Sequence, residues 1–212
     1  MKNKSILPTL VLIVIISYVY PTVATKQTVF AQQTTKPTTN FLPYVNFTYG
    51  IKLQYPSSWD KEENGTRQDT ETDAVTFSPP VVNSNASLDI TIDNISDEKG
   101  IPLAQYASDS ISDLKQSLKN FKLVGSTTNN ILAGLPAYKS IYTYVGENTI
   151  FKDMEIGAIK GDKVYILTYE AGINEYDKYL PIIQELINSF QLTKWNAAAE
   201  TGIWNEEHEY GD

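Results

Sequence analysis

The residues best suited to chemistry lie in one run, Asp69-Thr-Glu71-Thr-Asp73. Alternating carboxylates are hard oxygen donors, and three of them could hold Ca²⁺. The run lacks the central glycine and the distal glutamate of an EF-hand loop, so a solvated acidic loop is the competing reading. There is one histidine, His208, and no cysteine. The common zinc sites need several such side chains, and a cysteine nucleophile is impossible. A Ser-His-Asp triad would depend on a histidine in a polar terminal segment with little to hold it in register. No glycine-rich phosphate loop occurs. The sequence therefore predicts a protein that is not an enzyme and carries no cofactor, with Ca²⁺ as the one candidate ion.

Four Asn-X-Ser/Thr sequons begin at Asn46, Asn64, Asn85 and Asn94. They matter only if the chain is exported, and its start has that pattern. Lys2 and Lys4 precede an apolar run from Ile6 to Tyr20, and small residues follow at Thr22-Val23-Ala24 and Val29-Phe30-Ala31. Charged start, apolar middle and small-residue exit are the parts of a secretory signal. The run is shorter than the roughly 20 residues needed to span a bilayer. An uncleaved anchor, touching the membrane through residues 6–20, is the alternative.

The 212-residue chain carries a net charge of −8. With the three lysines of residues 1–31 set aside, 14 basic side chains face 25 acidic ones, a net charge of −11. Such a surface repels phosphate backbones, so a general nucleic-acid binder is disfavoured.

The elements that must position any site are legible from periodicity. Residues 1–31 are the signal or anchor, and 32–40 (QQTTKPTTN) a polar linker. A folded domain spans 41–193, and an acidic tail occupies 194–212. In the tail Trp195, Trp204 and Tyr210 alternate with acids, either as a solvated segment or as anchors of a docking peptide.

Within the domain, two short strands flank Tyr49-Gly50, and 61–73 reads as a polar loop. Ala74–Phe77 follows as a strand. Leu88, Ile90 and Ile92 alternate with Asp89, Thr91 and Asp93, a half-buried strand with its acidic side in water. Leu103, Ala107, Ile111, Leu114, Leu118 and Phe121 trace one face of a helix, with Pro102 suited to its first turn. Lys122–Val124 and Ile131–Leu132 read as two short strands around a polar turn. Ala137–Val145 is apolar or aromatic on both faces and should lie centrally. Ile150, Met154, Ile156 and Ala158 give one face of the next strand. A hairpin at Lys160–Lys163 leads into Val164–Tyr169. A last helix over about 175–190 buries Tyr176, Leu180, Ile183, Ile187 and Phe190, with Asn174 as its cap and Pro181 either as a kink or as its true start.

Antiparallel strands with one helix inserted and one terminal predict an α+β sandwich, its sheet covered by a helix on each face. Trp59, just past the strand-ending Pro56, should then plug one end of the core. Tyr138, Tyr142 and Tyr144 share one strand face and Tyr165 and Tyr169 another. They either pack as rings under a helix with hydroxyls at its rim, or line a ligand groove.

Several segments, in order, resemble a known family. Tyr55-Pro56-X-X-Trp59 is followed by Val75-Thr-Phe77-X-Pro79, then Gly134-Leu-Pro136-Ala137-Tyr138, Val164-Tyr-Ile-Leu-Thr-Tyr169 and Ile187-Asn-Ser189-Phe190. Over residues 41–193 the chain is similar to the PsbP-like family, named for an extrinsic subunit of photosystem II. The resemblance implies an α-β-α sandwich around an antiparallel sheet, shared with a Ran-binding nuclear-transport protein. Photosynthetic members sit on the lumenal side of a membrane complex and help it retain calcium and chloride. The plant members' metal-binding histidines have no counterpart here, because His208 lies in the tail. The resemblance thus points to a non-photosynthetic member. The expected function is that of an exported, non-enzymatic accessory module that docks on or stabilises a protein partner at the outer membrane face. The alternative is a small-ligand or calcium-binding protein of the extracytoplasmic space.

Overall fold

The computed structural model describes residues 39–63, 71–82 and 84–193. Residues 1–31, most of the linker, Asn64, Asp69, and the tail with Trp195, Trp204, His208 and Tyr210 lie outside the described residues.

Strands β1 (Phe41–Asn46) and β2 (Ile51–Pro56) form a hairpin whose turn ends at Gly50, φ 64°. Strand β3 (Asp60–Glu62) leads across the segment 63–70 to β4 (Glu71–Ser78) and β5 (Ser87–Asn94). A 3-10 turn at Ser96–Glu98 precedes helix α1 (Leu103–Ser117). Then come β6 (Lys122–Leu132), β7 (Leu135–Val145), β8 (Ile150–Lys160) and β9 (Lys163–Gly172). Helix α2 (Tyr176–Ser189) and β10 (Gln191–Leu192) close the domain.

Seven strands form one antiparallel sheet in the order β3-β4-β5-β9-β8-β7-β6. A second sheet, β1-β2-β10, joins the start of the domain to its end. It was not expected, because β10 is two residues long and meets β2 only through the fold.

The helices lie on opposite faces of the large sheet, and strand β9 shows why. Tyr165, Leu167, Tyr169 and Ala171 pack with Tyr176, Tyr179, Ile183 and Leu186 of α2 in the main core. Val164 and Ile166 point the other way, to Tyr138 and to Leu103, Tyr106 and Ala107 of α1. Alternation along a strand sends successive side chains to opposite faces. The small sheet adds Tyr44, Ile51 and Leu53 to the α2 side. Trp59 is buried there, its ring 6.0 Å from that of Tyr179 and nearly perpendicular to it, as a core plug should be.

Several expectations are corrected. Residues 61–62 and 71–73, expected in a loop, belong to strands β3 and β4. Lys122–Leu132 is one long edge strand, bulged twice against β7. Strand β7 is therefore next to the edge, and β9 is central. Helix α1 stops at Ser117, and Asn120 turns the chain at φ 55°, a conformation that Asn tolerates better than most residues. Leu118 and Phe121 lie beyond the helix, and Phe121 packs on Tyr142 at 5.3 Å. In α2 the buried stripe is Tyr176, Tyr179, Ile183 and Leu186, with Leu180 and Ile187 at its margins. Glu175, not Asn174, occupies the cap position. The helix runs through Pro181, which is exposed.

Candidate functional site

Helix α1 packs over β7 and β6. Toward β5 and β9 its contacts are sparser, made through Leu103, Tyr106 and Ala107. The result is a cleft of about 910 Å³ between the helix and the sheet. Its floor is Glu71, Thr91, Asp93, Glu155, Ile166 and Thr168, and the helix contributes Tyr106, Asp109, Ser110 and Asp113. Among the described residues none that lines the cleft is Lys, Arg or His. Of the side of β5 expected in water, Thr91 and Asp93 line this cleft.

Glu155 is the most deeply placed of the lining acids, at 7% exposure. Its Oε1 accepts hydrogen bonds from the Tyr138 hydroxyl at 2.6 Å and from Ser110 Oγ at 3.2 Å. Burial, with the charge of Glu71, pushes its carboxyl above the usual range, and the two donors pull it back. Tyr138 reaches Glu155 because its ring lies across Gly157, its neighbour on β8. A Cβ at Gly157 would come within 2.4 Å of that ring. Glycine here is what permits the close approach.

The carboxylates continue along the sheet behind the cleft. Asp153 is 3% exposed, and its Oδ1 has no hydrogen-bond partner. Burial first, then the charge of Glu170, raise its carboxyl to about 8, against a weaker pull from the Tyr142 hydroxyl. Glu170 is raised by burial as well and accepts from the Tyr144 hydroxyl. Asp89 accepts from Thr76 Oγ1 at 2.6 Å and Ser87 Oγ at 2.8 Å. Asp93 accepts from the Tyr106 hydroxyl at 2.9 Å. Burial and the charge of Asp93 drive the Tyr106 phenol well above its ordinary value. Each carboxylate is thus met by neutral hydroxyls. Lys61 and Glu63 form an ion pair at the surface.

The tyrosines expected on one face of β7 prove to be those donors. Tyr138 and Tyr142 are buried and Tyr144 half-buried, with hydroxyls aimed at acids rather than at a helix rim. Tyr165 and Tyr169 face α2, and Tyr169 donates to the carbonyl of Tyr176 at 2.7 Å.

Of the calcium candidates, Glu71 and Asp73 lie on β4 and point to the α1 face, where Asp73 accepts from Thr91 Oγ1 at 3.2 Å. Asp69 is outside the described residues. Among the described residues no three carboxylates or histidines come close enough to share a metal ion. Of the sequons, Asn85 and Asn94 are exposed. The Asn46 amide donates to the Tyr44 hydroxyl at 3.1 Å and its carbonyl accepts from the Tyr49 N–H.

Comparison with known proteins fits this architecture. The family model described as PsbP-like protein matches residues 6–192. The chain belongs to the PsbP-like family. A comparison with curated proteins returns no match. Among solved structures, this PsbP-like chain is similar to the cyanobacterial PsbP (CyanoP) of Synechocystis sp. PCC 6803. The two share 15% identity over 73% of this chain and 93% of that one, with a TM-score of 0.55. It is also similar to LpqN of Mycobacterium tuberculosis, a protein involved in cell envelope biogenesis. Identity there is 15% over 73% of this chain and 91% of the other, with a TM-score of 0.54. At such identity the likeness is one of fold.

Proposed function

We propose that this PsbP-like chain is an exported, non-enzymatic accessory module that docks on a protein partner at the outer face of a membrane. The cleft under α1 is its docking site. The observation that carries the reading is the cleft itself. It is large, open to solvent and lined by carboxylates and hydroxyls, with no basic side chain among the described lining residues. A surface of that kind favours a basic partner segment and repels acidic ones. Export is supported by the N-terminal pattern and by the envelope role of LpqN. The fold shared with cyanobacterial PsbP supports an accessory role.

Photo-crosslinking tests this directly. A crosslinking side chain is placed at Asp109 or Asp113 on the cleft rim, and at Pro181 on the opposite helix as control. In membranes of the native host, the rim positions should give a discrete crosslinked protein and the control should not. Charge reversal at Asp109 and Asp113 should abolish the product. Crosslinks of equal yield from both faces, or none from the rim, refute the reading.

A further inference from the structure

One end of the large sheet gathers exposed apolar side chains. Strands β4, β7 and β9 finish there, and β5 and β8 begin there: Phe77 pairs with Leu88, Ser87 with Glu170, Phe151 with Gly172 and Val145 with Ile150. The loops between them touch. The Ile173 N–H donates to the Ile150 carbonyl at 2.8 Å, and the Asn85 N–H donates to Glu175 Oε2 at 3.3 Å. Val81, Ile150 and Ile173 are exposed, and Val82 in the β4–β5 loop is 87% exposed. Phe47 and Ile131 are exposed as well, but on separate hairpins toward the other end. Apolar side chains scattered singly need no explanation, whereas a group on adjoining loops marks a contact surface.

The same end receives the chain from its N-terminal segment. The Asn40 carbonyl accepts from the Ser57 N–H at 2.8 Å, and Phe41 pairs with Pro56. Asp60 then pairs with Ser78, where the β4–β5 loop begins. The C-terminal tail leaves elsewhere, since the Thr193 N–H donates to the Gly50 carbonyl at the far end of the β1–β2 hairpin. Ahead of the domain the sequence holds the apolar run Ile6–Tyr20, joined to it by residues 21–38.

We infer that this end of the domain rests on a lipid bilayer, with Val81, Val82, Ile150 and Ile173 in the interfacial layer. This goes beyond the docking reading and rests on the export it includes, with the apolar run kept in the membrane. Lipid is the occupant because of where the chain enters: a tether held in the bilayer keeps nearest to it the end at which the connecting segment arrives. Apolar area buried in the interface then adds to the hold. Charge agrees with this orientation. Lys119, Lys122 and Lys178 are exposed at this end together with Asp60, Glu147 and Asp177, so both signs are mixed. The lysine stems can lie along the apolar layer with their ammonium groups among the headgroups. Asp93, Asp97 and Glu98 of the cleft lie toward the other end, where Asn94 pairs with Lys163, and are held away from lipid phosphates.

The chain has no cysteine, so single cysteines can be labelled with the environment-sensitive fluorophore NBD. Labels are placed through Val82→Cys and Ile173→Cys, and through Ile131→Cys and Asp162→Cys as controls, all at exposed positions. The full chain is reconstituted in phosphatidylcholine vesicles with and without nitroxide-bearing lipids. Labels at 82 and 173 should emit at shorter wavelength and lose intensity to the nitroxide lipids, and the control labels should do neither. Adding Val81→Ser and Val82→Ser to the position 173 variant should reduce its quenching. Labels at 82 and 173 that stay in water, or four labels quenched alike, overturn the inference. So does a wavelength shift that grows with the protein-to-lipid ratio without quenching, because a second copy of the chain would then cover the loops. Recovery of the exported chain cut after Ala24 or Ala31, or with a glycan on Asn85, overturns it too. If the cleft-rim crosslinks form in host membranes while the labels at 82 and 173 remain in water, the docking reading stands and the lipid contact alone fails.

Discussion

Replacing Asp153 by Asn should weaken the loss of stability as pH rises. Asp153 sits on the inner part of β8, 3% exposed, with Glu170 as its strongest charged neighbour. Its carboxyl is raised from an ordinary 3.8 to about 8. Below pH 3.8 the folded and unfolded states both hold the proton, and the group costs nothing. Between 3.8 and 8 the unfolded chain releases the proton and the folded chain keeps it. Stability therefore falls as pH rises, by about 1.4 kcal/mol per pH unit, and stops falling above 8. From pH 5 to pH 8 the group removes about 4 kcal/mol by this arithmetic. Asparagine preserves size and cannot ionise. Urea unfolding followed by circular dichroism at pH 5, 6, 7 and 8 gives the stability of each protein. The difference between the variant and the wild type should move in favour of the variant by about 4 kcal/mol across that window. Glu155 and Glu170, raised in the same direction, are present in both proteins and leave the difference largely intact. A difference that stays constant within about 1 kcal/mol from pH 5 to pH 8 would show that Asp153 ionises normally in the fold. The account of a buried, charge-crowded acid would then be wrong.

Three further substitutions probe the frame around the cleft. Trp59→Ala empties the site against Tyr179 and should cost about 3–5 kcal/mol in urea unfolding, with the α1 face unaffected. Gly157→Ala drives a methyl to 2.4 Å from the fully buried Tyr138 ring. It should cost about 1–3 kcal/mol and lower the melting temperature. Pro181→Ala restores the missing N–H within α2 at an exposed position and should raise stability by about 2 kcal/mol, read from the same denaturation curves.

The sandwich could be read from the sequence because its signals are local. The Leu103 and Tyr176 stripes, the Gly161 turn at φ 68°, and the alternation along β5 each lie within a few residues. The pairing of β10 with β2 was not legible, since the segments are far apart in the chain and one is two residues long. Nor was the unity of β6, whose run from Lys122 to Leu132 is mostly exposed and carries too few apolar residues to show a period. The cleft was half visible. Asp89, Thr91 and Asp93 were seen to share a face, but a single strand does not tell whether that face meets water or a helix. Asp153 and Glu155 were passed over, although they alternate with Met154, Ile156 and Ala158 on a strand with neighbours on both sides. Acids on the second face of such a strand have to be buried, and that was the available signal.

The two faces of the sheet divide the work of the molecule. On the α2 side the helix buries four of its own side chains, with Trp59 and the small sheet sealing the edges. On the α1 side the helix buries Ala107 alone, and the sheet beneath it carries Asp153, Glu155 and Glu170, all raised by burial. Leu or Val at those strand positions would pack better and would remove the penalty that grows toward neutral pH. A fold seeking stability alone has no use for a row of carboxyls under a lightly held helix. Departures of this kind from local consistency concentrate where a protein binds something. The open cleft, floored by Glu71, Asp93 and Glu155, lies on this same face, which is why the docking site is proposed there.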